Sequence, residues 1–276
     1  MDTKTLFAQG NLTALHEQVA QDIRQNPRDA ASRALFAQVL CLEGEWERAD
    51  KQADALMSLH PASAVFCSTL GKLIRAERRR EAMFRADAPP TWFGEKPEWA
   101  DLFAGALAAY AREGLQAGAE ASARLTEALP ETKAVLSRGA SPWLLDGDAR
   151  LAGVLELLVG DTHGVVDLSV VRSMELAAPT HPVELLWAHV RLQLKNGEVM
   201  VGRMPGRYPL INGKLDSELL MMRSTAWTEC GAGLYIGAGQ RCWCTPEGLF
   251  PMLHEPLLRF DSGDENPLPA AAAKEP

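Results

Sequence analysis

A recurrence at a spacing of 34 residues is the feature that most restricts the possible folds of this chain. A glycine, an apolar residue two positions later and a proline that ends the unit occur in residues 10–27 and again in 44–61. Thirty-four residues is the length of the tetratricopeptide helix-turn-helix unit. The residue types fit, because glycine permits the turn, Leu12 or Trp46 anchors the next helix, and proline stops it. The recurrence predicts stacked helix pairs; the alternative is a chance match in an ordinary helical bundle.

Other patterns in the first half also indicate helices. Apolar residues recur at steps of three and four over 12–23, and a second helix is predicted over 29–43. A degenerate third copy of the unit spans 114–130 and is one residue short. The basic run at 78–80 is flanked by two acids, so we predict a solvated helix face there.

The pattern changes after about residue 138, where short β-branched segments separated by turn residues predict strands. The clearest of these elements is a hairpin around the dipeptide Asn-Gly at 196–197, which favours a two-residue turn. We expect Lys195 to pair with Glu198, and this register places Leu192 opposite Val201 on one apolar face. A second predicted hairpin joins residues 234–236 to 241–243.

These patterns predict an α+β fold with two domains. The first, over residues 1–135, is an all-α tetratricopeptide-like repeat domain, and the second, over 140–262, is rich in β-structure. Residues 263–276 form a low-complexity, alanine- and proline-rich tail that we expect to be flexible.

Composition excludes several classes of partner. The chain has 276 residues with 28 Lys and Arg against 36 Asp and Glu, a net charge of −8. We expect no nucleic-acid binding, because neutralising phosphates requires an excess of basic residues. We also expect no membrane segment or export signal, since no long apolar run is present. The five dispersed cysteines favour a reducing cytoplasm.

A metal-dependent enzyme is the alternative function that the sequence leaves open. Asp146 and Asp148, with Glu156 nearby, could ligate a divalent cation. We favour a structural role, in which the two aspartates cap a turn and pair with Arg150.

No other pattern supports chemistry. Cys242 and Cys244, with Cys230 and His254 in the same region, suggest a zinc site. However, structural zinc knuckles place two to four residues between their cysteines and this pair has only one, so free buried thiols are favoured. The glycines of 231–239 lack the spacing of a phosphate-binding loop. We expect no catalytic, cofactor-binding or metal-binding residues and no cofactor.

Several separated strings, in the same order, resemble the ImpE family, whose members are also called TagJ or SciE-type proteins. The strings are residues 35–50, 97–99, 143–150 leading into 154–156, and 207–209. The positions of the family motifs, without an assigned role, are Trp46, Trp99, Trp143, Asp146, Asp148, Arg150, Arg207 and Tyr208.

The resemblance implies a cytoplasmic, non-enzymatic accessory protein of a bacterial type VI secretion system. It implies binding to the contractile sheath through the N-terminal helix of the small sheath subunit, and a link to the AAA+ ATPase that disassembles the contracted sheath. Stacked helix pairs agree with this expectation, because their grooves can bury the apolar face of a partner helix. A third possible function, besides the secretion accessory protein and the metal-dependent enzyme, is an oligomeric structural scaffold, and it is compatible with the accessory role.

Overall fold

Helices form the first half of the chain, and strands form most of the second. The computed structural model describes residues 2–210 and 215–260. The helices are α1 Thr3–Ala8, α2 Leu12–Gln25, α3 Ala30–Leu42, α4 Trp46–Leu59, α5 Ala64–Phe84, α6 Ala100–Arg112, α7 Leu115–Ala128, α8 Pro182–Leu186 and α9 Ser217–Leu220. The strands are β1 Ala134–Leu136, β2 Gly139–Ser141, β3 Leu145–Asp146, β4 Val154–Val159, β5 Thr162–Asp167, β6 Val171–Leu176, β7 Trp187–Leu194, β8 Val199–Pro205, β9 Thr225–Gly231, β10 Leu234–Gly239, β11 Cys242–Thr245, β12 Gly248–Pro251 and β13 Leu257–Phe260.

The 34-residue recurrence corresponds to two matching helices. Both ends of α4 lie 34 residues after the corresponding ends of α2. Gly10 and Gly44 precede these helices with φ angles of 75° and 76°, a left-handed conformation that glycine adopts without strain. The side chains of Asn11 and Asp29 accept hydrogen bonds from the first-turn N–H groups of α2 and α3. Turn and cap chemistry therefore sets where these helices begin.

The strands form one large antiparallel sheet and two small ones. The large sheet has the order β2-β1-β13-β6-β7-β8-β4-β5. Strands β9 and β10 pair with each other, and β11 lies between β12 and β3. An α+β fold with a helical first part and a β-rich second part is thus confirmed.

The predicted hairpin at 196–197 exists, but its predicted register is wrong. Leu192 pairs with Met200, and Val201 pairs with Arg191. The turn has three residues rather than two: the Leu194 N–H donates to the Glu198 carbonyl, and Gly197 has a φ of 91°. This extra residue turns Val201 to solvent, where 66% of its surface is exposed. A shift of one residue moves every side chain to the opposite face.

The second predicted hairpin, between 234–236 and 241–243, is also wrong. Residues 234–236 belong to β10, which pairs with β9, whereas 242–243 belong to β11, which pairs with β12 and β3. The predicted tail at 263–276 lies outside the described residues.

The helical part and the sheet share apolar cores. Phe84 of α5 and Phe103 of α6 lie in one cluster with Val154 and Val165 of the sheet. A second cluster joins helices α1 to α5 to buried residues of the β-rich part, namely Leu158, Val183, Leu186, Trp187, Met221 and Met222. The division into domains at 1–135 and 140–262 stays a prediction, and contact between the two parts is extensive. Within the described residues no helix is long and apolar enough to cross a membrane.

Candidate functional site

The three acids that the sequence singles out are buried where α5 meets the sheet. Asp146 ends β3, Asp148 lies in the next turn, and Glu156 is in β4. The Asp148 N–H donates to Asp146 Oδ1 at 2.9 Å. Arg150 binds the Asp148 carboxylate through Nε at 2.8 Å and Nη2 at 2.5 Å. The predicted turn and the pair of Asp148 with Arg150 are confirmed, but the predicted pair of Asp146 with Arg150 is wrong, because Asp146 pairs with Arg241.

Asp146 has a second arginine and a tyrosine as partners. Arg241 donates to Asp146 Oδ2 from Nη2 at 2.6 Å, and the Tyr208 hydroxyl donates to Oδ1 at 2.9 Å. The same hydroxyl accepts the Cys242 N–H at 3.1 Å. Burial raises the pKa of Tyr208 well above its ordinary value, so this residue is a neutral hydrogen-bond donor at physiological pH.

Glu156 is the centre of the cluster. Arg80 of α5 donates to its two carboxylate oxygens at 2.6 and 2.8 Å, and Arg241 approaches at 3.1 Å. The His163 Nε2 lies 2.9 Å from Glu156 Oε1. Burial alone would raise the pKa of Glu156, but Arg80 and Arg241 together hold it well below its ordinary value. Glu156 is therefore a charged anchor that joins the helical part to the sheet.

Two tryptophans extend the cluster towards the helices. Arg80 also pairs with Glu77 at 2.8 Å, one turn earlier in α5. The Trp187 indole N–H donates to Glu77 at 2.9 Å, and that of Trp46 donates to Glu81 at 2.8 Å. The ring centres of Trp46 and Trp187 lie 6.0 Å apart. The anchor residue of the second repeat therefore also holds the repeat on α5.

Arg207 connects three segments through backbone carbonyls. Its Nη1 donates to the Leu42 carbonyl at 2.5 Å and to the Leu220 carbonyl at 2.9 Å. Its own carbonyl accepts from Arg80 Nη2 at 2.9 Å. Burial lowers the pKa of Arg207 to about 10, which leaves it charged at neutral pH. A guanidinium suits this position because its donors point in several fixed directions.

The arrangement is suited to rigid coupling rather than to proton transfer or metal binding. Asp146, Asp148 and Glu156 each accept from an arginine, so none presents a free carboxylate to a cation. Nowhere in 2–210 or 215–260 do three His, Cys, Asp or Glu residues lie together in a way that could hold a metal ion. We call this set, joined by hydrogen bonds, ion pairs and the Trp46–Trp187 ring contact, the junction network; its members are Trp46, Glu77, Arg80, Glu81, Asp146, Asp148, Arg150, Glu156, His163, Trp187, Arg207, Tyr208 and Arg241.

The cysteines of the suggested zinc site are free thiols. Cys242 and Cys244 lie two residues apart on the same face of β11, with Cys242 buried and Cys244 partly exposed. Burial raises the pKa of each, which disfavours the thiolate that a metal requires.

Two of the motif positions lie outside the junction network. Trp99 is buried and packs edge-on against Trp92 and Phe103, with ring centres at 5.4 and 6.5 Å. Trp143 is partly exposed, and its carbonyl accepts the Ser141 hydroxyl at 2.6 Å. The structure thus brings together six of the eight motif residues, namely Trp46, Asp146, Asp148, Arg150, Arg207 and Tyr208.

The prediction of a solvated helix face at 78–80 is wrong for Arg80 and for both flanking acids. Glu77, Arg80 and Glu81 are buried, whereas Arg78 and Arg79 are exposed. A signal was present: Glu77 and Arg80 continue, at steps of four and three, the apolar face on which Leu73 and Phe84 lie. A pattern that counts only apolar residues misses this buried helix face, because two of its positions carry charged side chains.

The chain is therefore an α+β protein in which a buried ionic network holds an array of helices on an antiparallel sheet. Residues 139–256 match the family model described as ImpE protein. The chain is 27% identical over 264 residues to the type VI secretion system accessory component TagJ of Pseudomonas aeruginosa, covering 96% of this chain and 92% of that protein. The resemblance to the ImpE family is confirmed, and residues 139–256 form the ImpE domain of this chain.

The fold also has a match among solved structures. The crystal structure of protein VPA1032 from Vibrio parahaemolyticus superposes with a TM-score of 0.85 at 23% sequence identity. The match covers 95% of this chain and 98% of that one. The helical part and the β-rich part therefore occur together in the same fold.

Proposed function

We propose that the protein is a non-enzymatic, cytoplasmic accessory component of a bacterial type VI secretion system. The observation that carries this proposal is the similarity to TagJ, which extends over 96% of the chain and so includes the helices as well as the ImpE domain. The junction network supports a non-enzymatic role, because its charged groups pair with one another where the helical part meets the β-rich part.

The finer proposal is an adaptor that binds the contractile sheath through the N-terminal helix of the small sheath subunit. The support is the helical array, in which α3 and α4 end 34 residues after α1 and α2, so the pairs α1–α2 and α3–α4 repeat at this spacing. We infer that these pairs are tetratricopeptide-like units. Such pairs bind extended or helical peptides in the grooves between them. The β-rich part would then be available for a second partner, the AAA+ ATPase that disassembles contracted sheath.

The rival proposal, a metal-dependent enzyme, has no observation in its favour. Its three carboxylates, Asp146, Asp148 and Glu156, would each have to leave a buried arginine before binding a cation. Breaking such pairs in a dry interior costs several kcal/mol each, on the order of 3–5.

Titration calorimetry tests the adaptor proposal. A synthetic peptide of the cognate small sheath subunit's N-terminal helix is titrated into the full chain, and we expect saturable binding at micromolar concentration. A matched control peptide carries glutamate in place of two leucines on its apolar face, and we expect it not to bind. Co-sedimentation with assembled sheath is the second arm. Absence of binding in both arms would refute the proposal.

A further inference from the structure

A cavity opens at the meeting point of α1, α8 and α9, away from the junction network. Its volume is about 620 Å³, within the range of about 300–1,000 Å³ for ligand pockets. Apolar side chains dominate the lining, among them Phe7, Leu185, Met221, Met222 and Leu253. Phe7, Leu185 and Leu253 are only partly buried, so apolar surface remains in contact with solvent. We call this feature the α1–α8–α9 groove.

Met222 occupies its place in the groove under backbone strain. Its φ is 56°, in the left-handed region, where a non-glycine residue is strained. It follows α9 at the position where helices favour glycine, and the Arg223 N–H closes the cap on the Glu218 carbonyl. Glycine would remove the strain but also the side chain, which is 4% exposed and lines the groove. Strain of this kind is found at ligand-binding sites.

The lining chemistry favours an apolar occupant over a small polar ligand. Nine of the fourteen lining residues are apolar, and two of the polar ones, Glu184 and Arg223, already form hydrogen bonds within the chain. A small-molecule site needs convergent polar groups to orient its ligand. The apolar face of a helix needs only shape and hydrophobic burial, and flexible methionines adapt well to it.

Charge at the rim adds a second requirement. The carboxylate of Glu184 already has hydrogen-bond partners, because it accepts from the Thr180 N–H and its Oε1 lies 3.2 Å from His189 Nε2. Arg223 is bound to the Ala8 carbonyl. Glu218, in contrast, is exposed and makes no ion pair with any described residue. A lysine or arginine next to the apolar face of the occupant would complement it.

We propose that the α1–α8–α9 groove is the docking site for an amphipathic helix that packs apolar side chains against Phe7, Leu185 and Leu253, above the buried methionines, and pairs a basic residue with Glu218. The inference rests on the proposed function and places the binding site at this groove rather than between the helix pairs. Phe7 of α1 lines the groove from the helical part, and α8, α9 and neighbouring segments of the β-rich part supply the rest of the lining. The docked helix therefore contacts both parts at once, and the rigid junction network keeps the two walls in register.

Two variants of the full chain, each with a matched control, test the assignment. Met222→Gly removes a buried side chain of the groove and relieves the backbone strain, and urea denaturation checks that the variant folds. Ala232→Gly relieves the same left-handed strain at a residue that is exposed and outside the groove. Glu218→Lys reverses the rim charge, and Glu198→Lys does so at the exposed hairpin turn. Each is titrated with the fluorescein-labelled small-sheath-subunit peptide and followed by fluorescence anisotropy; light scattering gives the oligomeric state.

We expect Met222→Gly and Glu218→Lys each to weaken binding by about tenfold or more, with both controls within about twofold of the original chain. The effect of Glu218→Lys should shrink at high salt. If the original chain binds and all four variants bind equally, the groove assignment is wrong while the proposed function stands. If the original chain does not bind, the proposed function fails and the assignment with it. A dimer that Met222→Gly dissociates would also overturn the assignment, because a second copy would then fill the groove.

Discussion

Replacing Glu156 by glutamine is the most direct test of the junction network. The change keeps the shape of the side chain and removes its charge. Arg80 and Arg241, both with 0% of their surface exposed, would then share the remaining acids Glu77 and Asp146. Removing one partner of a buried ion pair costs about 3–5 kcal/mol. That is a large part of the total free energy of unfolding of a typical protein, about 5–15 kcal/mol.

Urea denaturation followed by tryptophan fluorescence and by far-ultraviolet circular dichroism measures this loss. With an m-value of about 3 kcal/mol/M, the midpoint of Glu156→Gln should fall by about 1 M or more. The matched control is Glu175→Gln, which disrupts a pair with Arg191 that is half exposed, with N–O at 3.5 Å. We expect the control to lose less than about 1 kcal/mol, because exposed pairs contribute little.

A double variant separates charge pairing from packing. Arg80→Met combined with Glu156→Met replaces both charges by apolar side chains, and the joint loss should be smaller than the sum of the two single losses. Equal midpoints for Glu156→Gln and Glu175→Gln would refute the reasoning, since the network would then contribute no more than a surface pair.

Three further predictions follow from burial and geometry. The depressed pKa of Glu156 means that its stabilisation is present above its unfolded pKa of about 4.3 and is lost as the pH falls through the folded value; melting temperatures from pH 7 to 3 should fall less steeply for Glu156→Gln. In Gly206→Ala the new methyl group would overlap the Leu185 carbonyl, so the free energy of unfolding should fall by about 1–3 kcal/mol or more. Gly105→Ala places its methyl group in open space on α6 and should raise the free energy of unfolding by about 0.5–1 kcal/mol. Calorimetric melting of the two variants compares these effects. Leu192→Ala should cost about 2–5 kcal/mol and Val201→Ala less than about 1 kcal/mol in urea titrations, and equal losses would contradict the observed register.

The sequence predicts best where the cause is local. Gly44, Trp46 and Pro61 define a turn, an anchor and a stop, and α4 begins and ends where they indicate. The strands near 154–159 and 171–176 follow from β-branched runs between turn residues. These signals depend on backbone preferences that operate within a few residues.

Prediction from the sequence fails where a contact between distant segments determines the register of a strand or the burial of a side chain. Asn196 and Gly197 are compatible with both a two-residue and a three-residue turn, and the buried face of β7 selects the second. Six of the thirteen members of the junction network are not recognisable from the sequence for the same reason. Arg80 meets Glu156 across 76 residues, and no local pattern pairs them.

By itself, the sequence determined the helical register, the change to strands, the Asp148–Arg150 turn and the resemblance to the ImpE family. These rest on short-range geometry, or on strings that can be compared directly. Only the tertiary structure decided that Arg80 is buried, that Glu156 joins the two parts, and that α1, α8 and α9 meet around a groove. The physical reason is that the free energy of a buried charge depends on the partners that surround it in space. Those partners come from segments that the chain brings together only when it folds.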